Sequence, residues 1–123
     1  TLHGYGSVFD LLDRATRRGV DVRLLVWRPN PQAGHHPIMF RGTPGDLELI
    51  RACAPGIKVR WDRAIDRFCQ HQKSWIVDAG LPTEVAFVGG INLTVRSSHH
   101  HDLYLEIDGP AAVDVSHNFV QRW

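Results

Sequence analysis

The first half of the chain alternates amphipathic segments with short apolar ones. Residues Ser7 to Gly19 carry apolar side chains at helical spacing, with a serine to cap the start and a glycine to end the helix. The apolar, β-branched segment VDVRLLVWR follows directly and predicts a buried strand. Residues Thr43 to Cys53 predict a second helix, and IKVRW predicts the next strand. A helix that leads straight into a strand, twice in succession, is typical of α/β proteins.

The second half predicts three strands and a final helix. SWIVD and EVAFVG are strand-like and are separated by AGLPT, which favours a hairpin. DLYLEID alternates apolar and polar residues, as a half-buried strand does. Gly109 and Pro110 then open a helix. Its apolar positions recur at helical spacing and are Ala112, Val115, Phe119 and Trp123.

The composition is that of an ordinary globular protein. The 123 residues are 43% apolar and 22% charged, which allows a core in one domain. A net charge of +1 gives no argument for a polyanionic partner. Cys53 and Cys69 are too few for a disulfide framework and lack zinc-site spacing, so we expect plain thiols.

Few features indicate where the protein acts. No apolar run approaches the roughly 20 residues that cross a bilayer, and no signal-peptide pattern is visible. We therefore expect a soluble chain, cytoplasmic or peripheral at a membrane, with the compartment left open. Arginine far outnumbers lysine, which suggests a GC-rich bacterial gene. The chain opens on a helix with no strand before it, so we expect a piece of a longer protein.

The segment HQKSWIVDAGLPTEVAFVGGIN, residues 71–92, holds the candidate chemistry. In a strand His71 and Lys73 project to one face and Gln72 to the other. A neutral imidazole beside a fixed cation suits attack on a phosphoryl group, with the imidazole as nucleophile or base. Asn92 adds an amide donor. The pair Gly89-Gly90 lets the backbone approach a bound group closely.

The individual signals differ in strength. H-x-K alone is weak, because a surface strand with two polar side chains explains it better. Asp78 completes the motif and is counted with the catalytic candidates. In a regular strand it faces away from His71, so we expect it to act through hydrogen bonds that hold the turn.

The full string H-x-K-x4-D, then a strand, then G-G-x-N, resembles the signature of the phospholipase D superfamily. RGVDVRLLVW, AFVGGINLT and HHHDLYLEIDGPAAVDVSHNFVQRW are similar to flanking segments of that family, so the resemblance covers nearly the whole chain. It implies a phospholipase D-like α-β-α sandwich, with a mixed sheet flanked by helices. Residues 1–123 would form one such domain, the first half of a two-motif enzyme. One departure is the ten-residue spacer between Asp78 and Gly89, longer than the family's, with the extra residues in the polar turn.

The resemblance also implies roles for single residues. His71 would attack phosphorus and form a covalent phosphohistidine, without metal or cofactor. Lys73 and Asn92, beside the two glycines, would bind the nonbridging oxygens. Asp102 would orient the imidazole of His71. A second histidine would protonate the leaving alcohol. Since the chain holds one H-x-K, that histidine must come from another half of the chain or from a homodimer mate.

Several functions share this chemistry. We favour phosphodiester hydrolysis or transphosphatidylation on glycerophospholipids. A nuclease is the alternative, although it needs a basic groove that a net charge of +1 does not suggest. Cardiolipin-synthase-like transfer and a catalytically silent structural half also stay open. The histidine clusters at 35–36 and 99–101 we interpret as polar loops rather than metal ligands, with His101 near the site. Trp75 alternates with Lys73 and could line the pocket.

Overall fold

The computed structural model describes residues 6–28, 44–63, 70–93 and 101–123. These residues form three helices and five strands in the predicted order, which confirms the α/β class. The elements are α1 (Val8–Arg17), β1 (Arg23–Arg28), α2 (Pro44–Cys53), β2 (Lys58–Arg63), β3 (Lys73–Val77), β4 (Val85–Gly89), β5 (Tyr104–Ile107) and α3 (Pro110–Arg122). By contacts the chain divides into two compact units, Thr1–Gln70 and His71–Trp123.

The first unit is built on a parallel pair of strands. β1 and β2 pair from Arg23↔Lys58 onward. Ser7 caps α1: its hydroxyl accepts from the Asp10 N–H at 3.1 Å, and the Asp10 carboxylate accepts from the Ser7 N–H at 2.7 Å. The Ser7 N–H bond, followed by a second bond in which the Ser7 hydroxyl donates to the same carboxylate at 2.7 Å, lowers the pKa of Asp10. Ile50, Ala54 and Ile57 are buried in this unit.

The second unit is a three-stranded antiparallel sheet with one helix. The strand order is β3-β4-β5, so the predicted hairpin between β3 and β4 is confirmed. α3 packs against β3 and β4. Ala86 on β4 and Ala112 on α3 are completely buried. Arg122 at the end of α3 donates to the Gln72 side chain, so α3 covers the face that carries Gln72 and Ala86.

The opposite face of this sheet carries the candidate lysine. Strand alternation and register place Lys73, Gly89 and Tyr104 in one row across the three strands. Trp75 and Phe87 form the next row on the same face. The side chains of the two faces therefore have different neighbours, one face lying against α3 and the other carrying Lys73.

Some expectations extend beyond what the structure describes. The strands divide between a parallel pair and an antiparallel trio, and the α-β-α sandwich stays a prediction. The loop at 29–42, Cys69, and the histidines at 35, 36, 99 and 100 lie outside the described residues. Cys53 is an exposed free thiol. Within the described ranges no helix has the length and apolarity needed to cross a bilayer.

Candidate functional site

One end of the three-stranded sheet gathers most of the candidate residues. In an antiparallel sheet the start of β3, the end of β4 and the start of β5 meet at the same end. Lys73 begins β3 and pairs with Gly89, which ends β4 and pairs with Tyr104, the first residue of β5. The candidates that directly flank these strand ends are His71, Gly90, Asn92 and Asp102.

A hydrogen bond from the Lys73 side chain to the His71 backbone links the two residues of the H-x-K segment. β3 begins at Lys73, so His71 lies two residues before the strand and is exposed, whereas Lys73 is half-buried. The Lys73 ammonium donates to the backbone carbonyl of His71 at 2.8 Å. An ammonium group has three donors, and this bond uses one of them. The shared face predicted for the two residues assumed a strand through both. The structure instead links them by this bond.

Gln72 fixes the same segment from the other face. The Nη1 of Arg122 donates to the Oε1 of Gln72 at 2.9 Å, across a separation of 50 residues. The residue between His71 and Lys73 is thus bonded to the last turn of α3. We did not single out Arg122 from the sequence, although it belongs to the QRW tail that carries part of the resemblance.

Gly89, at the end of β4, and Gly90, just after it, leave space for side chains at and just before the start of β5. A Cβ at Gly89 would lie 2.7 Å from Cγ of Tyr104, and one at Gly90 would lie 2.8 Å from Cγ of Asp102. Any larger residue would displace these neighbours. The structure shows side chains of the chain itself close to both glycines, and the close approach of a bound group stays a prediction.

Asp102 contacts the glycine pair. Its carboxylate lies against Gly90 and accepts from the Leu103 N–H at 2.8 Å. Among the described residues, no hydrogen bond joins this carboxylate to His71. Both side chains are exposed. The orienting role expected for Asp102 therefore stays a prediction, with the residue located at the correct end of the sheet.

Asp78 lies at the opposite end of the sheet. It follows the last residue of β3, about 16 Å from Lys73 at the rise of an extended strand. Its φ of 57° is in the left-handed region. The carboxylate accepts from the Thr83 hydroxyl at 2.9 Å, and the carbonyl accepts from the Leu81 N–H at 2.9 Å. Both hydrogen bonds lie within the turn that follows β3. Asp78 therefore bonds to the turn, and it lies at the other end of the sheet from the other catalytic candidates.

Tyr104 is a site neighbour that we missed in the sequence. Its hydroxyl donates to the backbone carbonyl of Ile91 at 3.0 Å, inside the Gly-Gly-Ile-Asn segment. The Trp75 indole N–H lies 3.4 Å from the same hydroxyl oxygen and donates to it. The alternation in DLYLEID places Tyr104 on the face of Asp102, and that was the signal available.

A comparison of the sequence with protein families shows the family of the chain. The family described as "Cardiolipin synthase, PLD-like domain" matches residues 6–123. The chain therefore belongs to the phospholipase D superfamily.

Individual relatives are plant enzymes. Phospholipase D alpha 2 of Oryza sativa subsp. japonica is 27% identical over 164 residues, covering 98% of this chain and 18% of its own. Phospholipase D beta 2 of Arabidopsis thaliana is 33% identical over 169 residues, covering 93% of this chain and 18% of its own. The chain thus spans about a fifth of the length of these relatives. The bacterial origin inferred from composition stays a prediction.

Proposed function

We propose that this chain carries one half of a phosphodiester-cleaving site of the phospholipase D type. The observation that carries this function is the convergence of Lys73, Asn92 and Asp102 on the end of the sheet next to His71. The family match over residues 6–123 supports the same chemistry.

Glycerophospholipids are the substrate class that we propose. The relatives reported above are named phospholipases D. A nuclease needs a basic groove along the nucleic-acid backbone, and a net charge of +1 does not favour one. Hydrolysis and transfer to an alcohol differ only in the acceptor, so both belong to the proposed activity.

In the first step a nitrogen of the His71 imidazole bonds to phosphorus. The bond from phosphorus to the leaving alcohol oxygen breaks, and a second histidine gives that oxygen its proton. Negative charge develops on the nonbridging oxygens. The Lys73 ammonium and the Asn92 amide bind these oxygens and stabilise the transition state. Asp102 holds the imidazole ring in the orientation that attack requires.

In the second step the phosphohistidine is released. The second histidine takes a proton from water or an alcohol, whose oxygen bonds to phosphorus as the phosphorus–nitrogen bond to His71 breaks. The proposal uses no metal and no cofactor. The second histidine belongs to another H-x-K motif, in a longer chain or in a second copy of this one, because residues 1–123 contain one such motif.

Substitution of His71 tests this function. We expect His71→Ala to lower turnover of bis-p-nitrophenyl phosphate by more than about a thousandfold, because the nucleophile is lost. His117→Ala is the matched control, since His117 is an exposed histidine on α3 that hydrogen-bonds Gln121, away from the proposed site. It should retain wild-type turnover. Equal activity of the two variants would contradict the assignment of His71.

The choice of substrate is tested separately. We expect the wild type to release head groups from phosphatidylcholine vesicles and to leave single-stranded DNA intact. Cleavage of DNA without release from vesicles would favour the nuclease. A wild type inactive on bis-p-nitrophenyl phosphate, vesicles and DNA, and still inactive when joined to the second H-x-K motif of its longer chain, would favour a silent structural half.

A further inference from the structure

Tyr104 contacts the segment Gly89–Asn92, called the glycine loop below, at Gly89 and at Ile91. Its half-buried ring lies against Gly89, where a Cβ would fall 2.7 Å from Cγ and 2.8 Å from Cδ1. Its hydroxyl donates to the Ile91 carbonyl at 3.0 Å. One side chain therefore spans from the last residue of β4 to the residue before Asn92.

The glycine loop needs such support because of its composition and its place in the fold. β4 ends at Gly89, so the strand pairing ends there. Two consecutive glycines have wide backbone freedom, and they lack side chains that would restrict the loop by packing. The bond from Tyr104 to Ile91 holds the backbone just beyond this point.

Holding the Ile91 carbonyl also restrains Asn92. The carbonyl of Ile91 lies in the planar peptide unit that contains the nitrogen and Cα of Asn92. A hydrogen bond that fixes the direction of this carbonyl fixes the plane from which the Asn92 side chain departs. The bond thereby restrains the backbone from which the Asn92 side chain extends, without a direct contact from Tyr104 to Asn92.

Trp75 donates to the Tyr104 hydroxyl, and the Ile91 carbonyl accepts from it. An indole N–H only donates, and a tyrosine hydroxyl has one hydrogen and accepts through oxygen. Since Trp75 donates to the Tyr104 oxygen, the tyrosine hydrogen is left for the Ile91 carbonyl. The order of donation is Trp75 to Tyr104 to Ile91.

We propose that Tyr104 is a positioning residue that holds the glycine loop so that the Asn92 amide binds a phosphoryl oxygen. Trp75 is its supporting donor. This role rests on the proposed function of Asn92, and it concerns a residue outside the H-x-K and G-G-x-N motifs.

Tyr104→Phe is the variant that tests the role. It keeps the ring over Gly89 and removes only the hydroxyl. We expect about tenfold lower turnover of bis-p-nitrophenyl phosphate, the size of effect given by one lost hydrogen bond. In an Asn92→Ala background the same change should have no further effect, because Tyr104 acts through Asn92. Additive losses in the double variant would overturn the proposal.

Amide hydrogen exchange separates this role from the proposed function. Without substrate, Tyr104→Phe should raise exchange at residues 90–92 about tenfold, because the restraint on the loop is removed. Unchanged exchange would overturn the proposal whatever the turnover. Thr83→Ala is the matched control. It removes a hydroxyl bond at the other end of the same sheet and should leave residues 90–92 unaffected.

A wild type with no turnover would have a different meaning. It would rule out a site completed by a second copy of this chain, and the turnover comparison would then be made in the longer chain that supplies the second H-x-K motif. The exchange measurement would still decide whether the tyrosine holds the loop. Faster exchange in Tyr104→Phe, together with an active wild type and non-additive losses, is the result that supports the full proposal.

Discussion

Lys73 connects the sheet to the candidate nucleophile. Its backbone pairs with Gly89, and its ammonium bonds the carbonyl of His71 at 2.8 Å. Local spacing was enough to predict that His71 and Lys73 lie close together, and that they act together stays a prediction. It could not predict that their link is a bond from side chain to backbone, nor that Asp102 lies against Gly90, because these depend on how strands end and pair.

We expect Lys73→Ala to lower kcat by about a hundred- to a thousandfold, since a charge aimed at developing negative charge is worth roughly 3–4 kcal/mol. Lys73→Arg should recover part of this, because it restores charge but not the compact ammonium. Steady-state kinetics measure both. The chain has one other lysine, Lys58, which pairs with Asp21 in the first unit. Lys58→Ala with the same loss as Lys73→Ala would show that no specific site is involved.

The two ends of the β3–β4 hairpin carry different groups of residues. One end carries Lys73 and the glycine loop, and the other is the turn that Asp78 holds through Thr83 and Leu81. The elements themselves were predictable, because periodicity and turn residues are local signals. The contacts that support the site were not, since Tyr104 to Ile91 spans 13 residues and Arg122 to Gln72 spans 50.

We expect Asp78→Ala to destabilise the protein by about 1–2 kcal/mol, through a lost hydrogen bond and a left-handed conformation that alanine tolerates poorly. Denaturant unfolding measures this. Turnover per folded molecule should stay close to the wild type, because Asp78 lies at the far end from Lys73. Thr83→Ala removes the partner hydroxyl, so the two changes should be non-additive. A thousandfold loss of turnover in a fully folded Asp78→Ala protein would instead make Asp78 a catalytic residue.

At the scale of the molecule, every candidate catalytic residue belongs to the unit His71–Trp123. The chain covers 18% of its rice relative and contains one H-x-K motif. The pattern of apolar positions predicted the α/β class, which the structure confirms, and the resemblance of the motifs predicted the family, which the family match confirms. They could not supply the second histidine that the proposed function requires, because the spacing of one motif carries no information on the position of another.

The central claim is that His71 bonds to phosphorus during turnover, and trapping that bond tests it most directly. The chain is mixed with a phosphodiester, quenched rapidly in base and digested, and its peptides are weighed by mass spectrometry. We expect a phosphoryl adduct on the peptide that carries His71, absent from His71→Ala and retained in His117→Ala. Turnover with no adduct, or with an adduct on a different histidine, would contradict the assignment of His71 as the nucleophile.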